Sequence, residues 1–493
     1  MTIPEAFAAT MKRWLGAEWE AFSEALHRPA ERGVRLHRVA LTDLRPPSGP
    51  ESVRCTLPAP DAIREELLDP IAWAEAGYYI RPDSPLGRLV YHDAGAYYLQ
   101  EPSAMAAVAA LAPQPGEWVL DLCAAPGGKS TAIGHALAGE GWLLANEIHP
   151  GRVEVLAENL ERTGVPATVC QETPARLAQA LGPCFDAVLV DAPCSGEGMF
   201  RKDPAAAAAW SEDAPARCAE RQREILGHAL RLVRPGGRLV YSTCTFNPLE
   251  NEQIIAWAMA NHPVAVRELP DWPGWSPGRP EWANGDPRLL HTRRLWPHLG
   301  RGEGHFVALL EVLDTPHGTQ SDGSTGTRDR SEDRGVDGRT ARRRAHRTPD
   351  RSRRVHDAEW TAWLSDLLAV NPPPAWRHPL WRGDLAFTAP PGPLPDGLRV
   401  LRPGLVLGRR RRDRFEPEHA LAMALAPGAA RRAVALDETT AARYLAGESL
   451  PGDGEKGVVW LHVAGLPLGW GRRAAGRINN LYPKGLRRPG VFV

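Results

Sequence analysis

Short apolar runs alternate with helical patterns between about residues 112 and 312. The runs suit buried parallel strands and fall at 118–122, 143–147, 187–190, 238–242 and 306–311. Alternation of this kind is typical of βαβ units, in which a crossover helix joins each strand to a parallel neighbour. It predicts an α/β fold with a doubly wound, Rossmann-like sheet. Ligands of such sheets bind outside the carboxyl ends of the strands, so functional residues are expected there.

The remaining sequence divides by composition, because 493 residues are too many for one ordinary domain. Residues 1–110 combine a helical pattern with proline-rich turns, which predicts a small N-terminal α+β module before a catalytic domain at 111–313. Residues 314–356 have almost no apolar content, so we expect a disordered linker there. Residues 357–493 return to Val and Leu runs between Gly and Pro turns, which predicts a small β-rich C-terminal module.

Charge and cysteine content narrow the class of protein. Lys plus Arg and Asp plus Glu both number 59, so any nucleic-acid site must be a local patch. The seven cysteines form no Cys-x-x-Cys pair, which disfavours a zinc cluster or a disulfide framework. The N-terminus has no signal-peptide pattern, and no run of about 18 apolar residues occurs. We therefore expect a cytoplasmic protein with free thiols, no metal and no membrane partner.

A glycine-rich turn, Asp-Leu-Cys-Ala-Ala-Pro-Gly-Gly-Lys-Ser-Thr at 121–131, follows the first predicted strand and opens a helix. Glycines at such a turn let the backbone approach a ligand closely. The glycine spacing is neither that of a Walker loop nor that of a dinucleotide-binding loop, which disfavours a pyrophosphate ligand.

Acidic residues follow the next two predicted strands. Glu147 ends the second strand, where doubly wound folds hold ribose hydroxyls, although it could also cap the following helix. Glu172 follows a third, weaker strand and is either an acceptor for an adenine amino group or an ordinary loop acid. An adenosine cofactor without a diphosphate fits this pattern, which indicates S-adenosylmethionine.

Two cysteines lie in motifs that directly follow two further strands. Cys194 belongs to Asp191-Ala-Pro-Cys-Ser-Gly-Glu-Gly198, and Cys244 belongs to Tyr241-Ser-Thr-Cys-Thr-Phe246. Each thiol alone is more often inert and buried, but two thiols at neighbouring strand ends beside a cofactor loop can share a pocket. A thiolate that adds to carbon 6 of cytosine makes carbon 5 nucleophilic. The residues alone do not decide which thiol attacks.

Residues 98–312 resemble the Sun-type family of RNA cytosine-5 methyltransferases in the cofactor loop, the two cysteine motifs and Gln-Glu-Pro-Ser at 100–103. The resemblance implies that Cys244 is the nucleophile and that Cys194 assists product release. We further expect Asp191 to protonate or hydrogen-bond to ring nitrogen 3. The cofactor contacts that the resemblance implies are Cys123, Ala124, Ala125, Pro126, Gly127, Gly128, Lys129, Glu147, Glu172 and Asp191.

Residues outside the core suggest how RNA is held. After Lys456 the chain has no acidic residue, and its basic side chains stand among Trp470 and Tyr482. This mixture predicts phosphate neutralisation together with base stacking, and the resemblance implies a PUA-like RNA-binding module. Near the N-terminus, Arg-Leu-His at 35–37 stands where the family usually has Arg-Val-Asn, which implies an RNA contact by the N-terminal module.

The motif extensions at 197–204 and 476–485 resemble family members that act on small-subunit ribosomal RNA. We therefore expect S-adenosylmethionine-dependent methylation of carbon 5 of cytidine in 16S ribosomal RNA, free or within the small subunit. The protein is expected to act as a monomer and not on DNA. Transfer RNA is the nearest alternative substrate, and a catalytically silent ribosome-assembly factor is the alternative from another class.

Overall fold

The computed structural model describes residues 3–37, 39–40, 57–314, 351–412 and 414–492. Most of the linker predicted at 314–356 lies outside these residues. Its last six residues are helical, so the prediction is wrong for 351–356. Trp360 and Leu364 of the same helix are fully buried, and the helix continues upstream from that anchored stretch.

The N-terminal part is a four-stranded antiparallel sheet with strand order β4-β5-β1-β6, flanked by helices. The helices are α1 (Glu5–Leu15), α2 (Trp19–Ala25), α3 (Asp61–Arg64) and α4 (Val90–Asp93). The strands are β1 (Gly33–Leu36), β2 (Val39–Ala40), β3 (Leu57–Pro58), β4 (Leu67–Pro70), β5 (Gly77–Ile80) and β6 (Tyr97–Leu99). The apolar face of α1 packs through Phe7 against Phe200, which lies in the segment that follows residue 191.

The core is a doubly wound sheet with helices on both faces. Its helices are α5 (Ala106–Leu111), α6 (Gly128–Ala136), α7 (Pro150–Arg162), α8 (Pro174–Leu181), α9 (Pro204–Ala209), α10 (Ala214–Leu230) and α11 (Glu252–Asn261). Its strands are β7 (Trp118–Asp121), β8 (Trp142–Asn146), β9 (Thr168–Cys170), β10 (Phe185–Asp191), β11 (Val233–Thr243), β12 (Val264–Arg267), β13 (Trp275–Pro277), β14 (Arg293–Leu295) and β15 (His305–Val312).

Five strands run parallel in the order β11-β10-β7-β8-β9. Their residues are buried on both faces, as expected where helices cover both sides of a parallel sheet. The strand predicted at 306–311 exists, but β15 runs antiparallel to β11, so its prediction as a parallel strand is wrong. Strand β15 also runs antiparallel to β14, which precedes it after a short connection of the kind that joins antiparallel strands.

The C-terminal part is β-rich. Its helices are α12 (Arg351–Leu367), α13 (Pro374–Arg377), α14 (His419–Ala424) and α15 (Glu438–Leu445). Its strands are β16 (Leu380–Arg382), β17 (Leu385–Phe387), β18 (Val400–Arg402), β19 (Val406–Arg411), β20 (Arg414–Pro417), β21 (Ala433–Leu436), β22 (Leu450–Pro451), β23 (Gly457–Val463), β24 (Leu466–Ala474) and β25 (Arg477–Asn480). Strand β18 leaves this part and pairs antiparallel with β9 at the edge of the core sheet.

The C-terminal aromatic residues that were expected to stack on bases lie in the protein interior. Trp470 is 2% exposed and donates its indole N–H to the carbonyl of Glu418, and Tyr482 is 4% exposed with its ring packed against Tyr444. The stacking prediction is therefore wrong for both rings, because they supply the apolar core of this part. Arg477 and Lys484 remain exposed and available to phosphates.

The architecture agrees with the predicted fold class: a Rossmann-like core between an α+β N-terminal module and a β-rich C-terminal module. Across the described residues, no helix is both long and apolar enough to span a bilayer. The carboxyl ends of β7, β8, β9, β10 and β11 meet at one edge of the sheet, where the candidate site lies.

Candidate active site

The glycine-rich turn connects β7 to α6 at the carboxyl edge of the sheet. Gly127 has φ +111°, and a Cβ at this position would lie 3.3 Å from Leu156 Cδ1 and 3.4 Å from Asn159 Cβ. Asn159 donates its side-chain amide to the carbonyl of Pro126 at 2.9 Å. Helix α7 thus supports the turn from one side. Glycine suits position 127 because it adopts the positive φ without strain and leaves room for the closely packed side chains of α7.

Asp121 ends β7 beneath this turn. Its side chain is fully buried, and Oδ2 accepts a hydrogen bond from Ser130 Oγ at 2.6 Å. Its Oδ1 has no hydrogen-bond partner among the described residues. Burial raises the pKa of Asp121 to about 7. The turn therefore rests on a carboxyl group with an unused acceptor oxygen.

Asn146 joins the ends of three strands. Its amide nitrogen donates to the carbonyls of Leu122 at 3.1 Å and Glu172 at 3.0 Å, and its Oδ1 accepts from the Glu172 N–H at 3.0 Å. Sequence reasoning did not assign Asn146 a role. The available signal was a polar residue closing an otherwise apolar strand, directly before an acid already chosen as a ligand contact.

Glu147 and Glu172 lie at the strand ends where they were predicted, and both are buried. Glu147 Oε1 accepts from the N–H of His149 at 2.9 Å, and its Oε2 lies 3.4 Å from Arg152 Nη1. Glu172 Oε2 accepts from Arg176 Nε at 3.1 Å. Both contacts of Glu147 lie at the start of α7, so its carboxylate can orient the first turn of that helix.

The second half of the candidate site begins with Asp191, the last residue of β10. Its Oδ2 accepts from Lys129 Nζ at 2.6 Å, its Oδ1 accepts from Ser242 Oγ at 2.8 Å, and His305 Nε2 lies 3.9 Å from Oδ1. Burial alone would raise the pKa of Asp191, but the charge of Lys129, the His305 ring and the hydrogen bonds to the carboxylate together outweigh burial and lower that pKa. The carboxylate is therefore ionised at neutral pH.

Lys129 and His305 complete the charge balance around this carboxylate. Burial acts to lower the pKa of Lys129, but Asp191 outweighs it and raises that pKa, so the ammonium group stays charged. Burial lowers the pKa of His305 to about 4, so its ring is neutral at pH 7. Asp191 and Lys129 thus form a close ion pair, and a neutral imidazole lies beside it.

The two candidate cysteines meet in this pocket. Cys194 Sγ lies 3.4 Å from Cys244 Sγ, although 50 residues separate them. The hydrogen bond to Cys244 and burial together raise the pKa of Cys194 well above the ordinary thiol value. The two sulfurs therefore lie within hydrogen-bonding distance of each other, and Cys194 holds its proton more tightly than an ordinary thiol.

Two buried carboxyl groups tie the two cysteine loops to each other. Glu250, six residues after Cys244, accepts from the N–H of Ser195 at 2.9 Å, also from its hydroxyl, and from Gln222 Nε2 at 3.0 Å. Burial raises the pKa of Glu250. The loop after β11 thus holds the loop that carries Cys194.

The second carboxyl group belongs to the Cys194 loop and accepts hydrogen bonds from the Cys244 loop. Glu197, three residues after Cys194, accepts from Thr245 Oγ1 at 2.9 Å, from the N–H of Phe246 at 3.2 Å and from Asn247 Nδ2 at 3.4 Å. Sequence reasoning missed both acids, although Glu197 stands within the recognised motif. The available signal was an acid within the loop that carries each cysteine, a few residues after a buried strand.

Gly198 brings the two loops into backbone contact. Its N–H donates to the carbonyl of Cys244 at 2.9 Å. A Cβ at Gly198 would lie 2.7 Å from the carbonyl oxygen of Gly304 and 2.9 Å from that of Cys244. Because both neighbours are backbone atoms, neither can move aside cheaply, and the thiol spacing depends on glycine at this position.

The titration of Glu197 predicts how the unfolding free energy of the protein depends on pH. Burial raises its pKa to about 7 from an ordinary value of 4.5. The folded state therefore holds this proton to higher pH than the unfolded state, so stability is greatest below pH 4.5 and falls as the pH rises to 7. Relative to Glu197→Gln, which does not titrate, the wild type should lose about 3 kcal/mol of unfolding free energy across this window.

Urea unfolding of both proteins at several pH values between 4 and 8 measures this difference. His305 changes stability in the opposite sense, since its lowered pKa costs stability as the pH falls from 6.5 towards 4. Both proteins keep His305, so its effect cancels in the comparison. Parallel pH profiles for wild type and Glu197→Gln would show that Glu197 keeps an ordinary pKa.

Arg35 of the N-terminal sheet reaches the cofactor turn rather than a surface open to RNA. It is 7% exposed, and its Nη2 donates to the carbonyl of Gly128 and to Thr131 Oγ1, both at 2.9 Å. Burial lowers the pKa of Arg35 to about 9. The RNA contact expected at 35–37 is therefore wrong for Arg35, which instead fixes the start of α6.

Each structural part of the chain matches a known protein-family model. Residues 108–311 match the model of 16S rRNA methyltransferase RsmB/F, and 3–102 match the N-terminal domain of 16S rRNA methyltransferase RsmF. Residues 363–425 match the first C-terminal domain of RsmF, and 431–488 match its PUA domain. The four matches follow one another along the chain in the order of its structural parts.

Whole-chain relatives agree with this assignment. The ribosomal RNA small subunit methyltransferases F of Klebsiella pneumoniae and Erwinia tasmaniensis are each 32% identical to this chain, and each comparison covers 99% of it and 97% of the relative. The crystal structure of a methyltransferase homolog from Pyrococcus horikoshii is 26% identical with a TM-score of 0.51. That likeness covers 61% of this chain and 94% of the archaeal protein.

Proposed function

Since this chain belongs to the RsmF family of S-adenosylmethionine-dependent 16S ribosomal RNA methyltransferases, we propose that it methylates carbon 5 of cytidine through a covalent cysteine adduct. One observation carries the proposal. Two thiols lie 3.4 Å apart at the ends of neighbouring parallel strands, next to the ionised Asp191. Direct methylation of an amine or a hydroxyl would need neither thiol.

The strand ends fit the cofactor of the family. Gly127 supplies a turn that side chains would obstruct, and Glu147 provides a buried carboxylate at the end of β8. Asp121 offers an acceptor oxygen that has no hydrogen-bond partner within the described part of the chain. The residues that would hold S-adenosylmethionine are Cys123 through Lys129, Glu147, Glu172 and Asp191. When bound, it supplies an electrophilic methyl group on a sulfonium. The protein must then hold the cytidine ring so that its carbon 5 faces that methyl group.

Cys244 begins the reaction as a thiolate that adds to carbon 6 of the ring. The new S–C6 bond shifts the 5,6-double-bond electrons towards carbon 4, and negative charge develops on nitrogen 3. That charge returns through the ring when carbon 5 takes the methyl group. The hydrogen bonds of Glu250 and Glu197 join the two cysteine loops, and they hold the Cys244 loop in place relative to the Cys194 loop.

The charge state of Asp191 refines its expected role. A carboxylate whose pKa is lowered by Lys129 accepts hydrogen bonds and is a poor proton donor to nitrogen 3. We assign Asp191 to accept from the 4-amino group of cytosine and to stabilise a proton on nitrogen 3. The ammonium of Lys129, 2.6 Å from the carboxylate, offsets the negative charge of the ring as it forms.

Cys194 acts after methyl transfer. The first cause of its raised pKa is the hydrogen bond with Cys244, and that cause disappears when Cys244 is bonded to carbon 6. Cys194 then ionises more readily and releases its proton to solvent. The Cys194 thiolate can take the proton from carbon 5, after which the C6–S bond breaks and Cys244 leaves as a thiolate. Overall, one proton is released for each methyl group transferred.

The target cytidine must leave any helix to reach thiols at the sheet edge. Proteins read RNA bases chiefly in loops and unstacked regions, which favours a structured ribosomal RNA site over a regular duplex. The two cysteines, Asp191 and the glycine turn together argue against a silent assembly factor, since binding alone would need none of them. We propose cytoplasmic 16S ribosomal RNA, free or in the small subunit, as the substrate.

Release of tritium tests the position of methylation. In 16S ribosomal RNA labelled with tritium at carbon 5 of cytidine, methylation at carbon 5 should release one tritium to water for each methyl group transferred. Methylation of the 4-amino group or of a ribose hydroxyl would release none. Mass spectrometry of the nucleosides should show 5-methylcytidine in the same stoichiometry.

The same assay separates the alternative substrates. Transfer RNA from a strain that lacks the gene should release little tritium, while 16S ribosomal RNA and small subunits from that strain should be active. Preferential release from transfer RNA would replace the ribosomal substrate in the proposal. Absence of methyl transfer to every RNA fraction would leave the assembly factor as the remaining function.

A further inference from the structure

The edge of the core sheet beside the adenosine side of the pocket is closed by the C-terminal part of the chain. Strand β18 pairs antiparallel with β9, with Val400 opposite Cys170. Just before β18, the carbonyl of Arg399 accepts from the N–H of Gln171 at 2.9 Å. A strand from more than 200 residues downstream therefore continues the sheet where β9 would otherwise be an exposed edge.

The same segment holds the side chain of Glu172. The N–H of Arg399 donates to Glu172 Oε1 at 2.7 Å. Arg176 donates Nε to Glu172 Oε2 at 3.1 Å and Nη2 to the carbonyl of Gly397 at 2.6 Å. Arg176 thus links the carboxylate to the C-terminal segment, and the two carboxylate oxygens are held from opposite sides.

The backbone of Glu172 is fixed separately, by the paired hydrogen bonds with Asn146. The core therefore fixes where the backbone of Glu172 lies, and the C-terminal segment and Arg176 together orient its carboxylate. The apolar side chains of Leu394, Leu398 and Val400 pack against the core cluster below, so the segment is anchored as well as hydrogen-bonded.

We propose that residues 397–399 are part of the cofactor site: they orient the Glu172 carboxylate to accept from the adenine amino group, and cofactor affinity depends on this orientation rather than on strand docking in general. The inference rests on the proposed contact between Glu172 and adenine. A glutamate on an undocked strand edge must be ordered when the ligand binds, and ordering one flexible side chain weakens affinity by about three- to tenfold.

Binding of S-adenosylhomocysteine to the full-length protein, measured by calorimetry, tests the proposal. Arg176→Ala removes the link between Glu172 and Gly397, and its side chain is 57% exposed, so the variant is expected to fold. Arg399→Pro removes the N–H that Glu172 accepts from. Each variant should bind about three- to tenfold more weakly.

Steady-state kinetics add a readout that general loosening would not reproduce. For Arg176→Ala, KM for S-adenosylmethionine should rise by the same factor, while kcat at saturating cofactor and KM for RNA stay at wild-type values. Arg402→Ala is the matched control. Arg402 lies on β18 and donates to Glu161 at 2.7 Å, so its loss weakens docking of the same strand without touching Glu172.

Glu172→Ala separates failure of the inference from failure of the adenine contact. If Glu172→Ala binds as tightly as wild type, Glu172 does not contact adenine and the inference falls with that contact, while the carbon-5 chemistry stands on its own assay. If Glu172→Ala binds weakly but Arg176→Ala and Arg399→Pro bind normally, the inference alone is overturned. Equal weakening by Arg402→Ala would also overturn it, because strand docking in general would then be responsible.

Discussion

Cys244→Ala is expected to abolish methyl transfer, with a rate loss of about 10⁴-fold or more, and to form no covalent complex with RNA. The carbon-5 position of cytosine is not nucleophilic until a thiolate has added to carbon 6, so the other groups of the site cannot compensate. Incorporation of labelled methyl groups into 16S ribosomal RNA measures the loss. A denaturing gel that retains protein–RNA adducts measures the covalent step.

Cys194→Ala should give a different result in the same two assays. Addition through Cys244 and methyl transfer remain possible, but the thiol that becomes ionisable in the adduct is gone. The adduct should accumulate to about one per enzyme, and turnover should stop after the first methyl group. The two sulfurs lie only 3.4 Å apart, so a general disturbance of the structure would affect both variants in the same way. Opposite results in the adduct assay would therefore reflect different chemical roles.

Cys184→Ala is the matched control for both cysteine variants. Cys184 directly precedes β10, so it lies at the opposite edge of the sheet from Asp191, which ends that strand. Its loss should change neither turnover nor adduct formation. An adduct in Cys244→Ala and none in Cys194→Ala would reverse the two roles and refute the proposed mechanism.

The positions of Asp191 and Cys244 could be predicted because each lies at the end of its strand or directly after it. Asp191 ends β10, and Cys244 follows β11, so apolar patterning was enough to bring them to one edge. In parallel strands, the direction of the chain settles which ends meet. The sequence could not reveal the hydrogen bonds by which Glu197 and Glu250 join the two cysteine loops. These bonds depend on how the two loops lie relative to each other in three dimensions.

Interactions between distant segments escaped prediction for a related reason. Nothing local in Val400 or its neighbours indicates that β18 completes a sheet formed more than 200 residues earlier. Similarly, composition cannot tell an aromatic ring that stacks on RNA from one that fills a core, and Trp470 and Tyr482 belong to the second kind. Arg35 illustrates the same limit, since a buried arginine that binds a helix start has the same sequence signal as an exposed one.

The second large effect is expected at a buried ion pair behind the Cys244 loop. Arg294 is 1% exposed and donates to both carboxylate oxygens of Glu252, from Nε at 2.6 Å and from Nη2 at 2.5 Å. Its guanidinium lies over the rings of Trp282 and Trp296, each about 5.1 Å away. Arg294→Met should lower the unfolding free energy by about 3–5 kcal/mol, because it leaves Glu252 charged and unpaired in the interior.

Urea unfolding of the catalytic domain within the full chain measures this loss. Arg288→Ala removes an ion pair with Asp286 in which the arginine side chain is 55% exposed, and it should change stability little, since exposed pairs add little. A similar small change in Arg294→Met would show that Glu252 is neutral or reaches water in the folded protein. The comparison therefore separates burial of the charge from the mere presence of a salt bridge.

A double variant distinguishes the contribution of this pair to stability from its contribution to the site. Arg294→Met combined with Glu252→Leu removes both charges, and apolar replacements of buried pairs are often neutral or stabilising, so most of the lost unfolding free energy should return. Arg294 Nη1 also donates to the carbonyl of Phe246 at 2.9 Å, two residues after Cys244, and this bond does not return. Methyl transfer should therefore stay below the wild-type rate in a stable protein. Full recovery of both properties would assign the pair to folding alone.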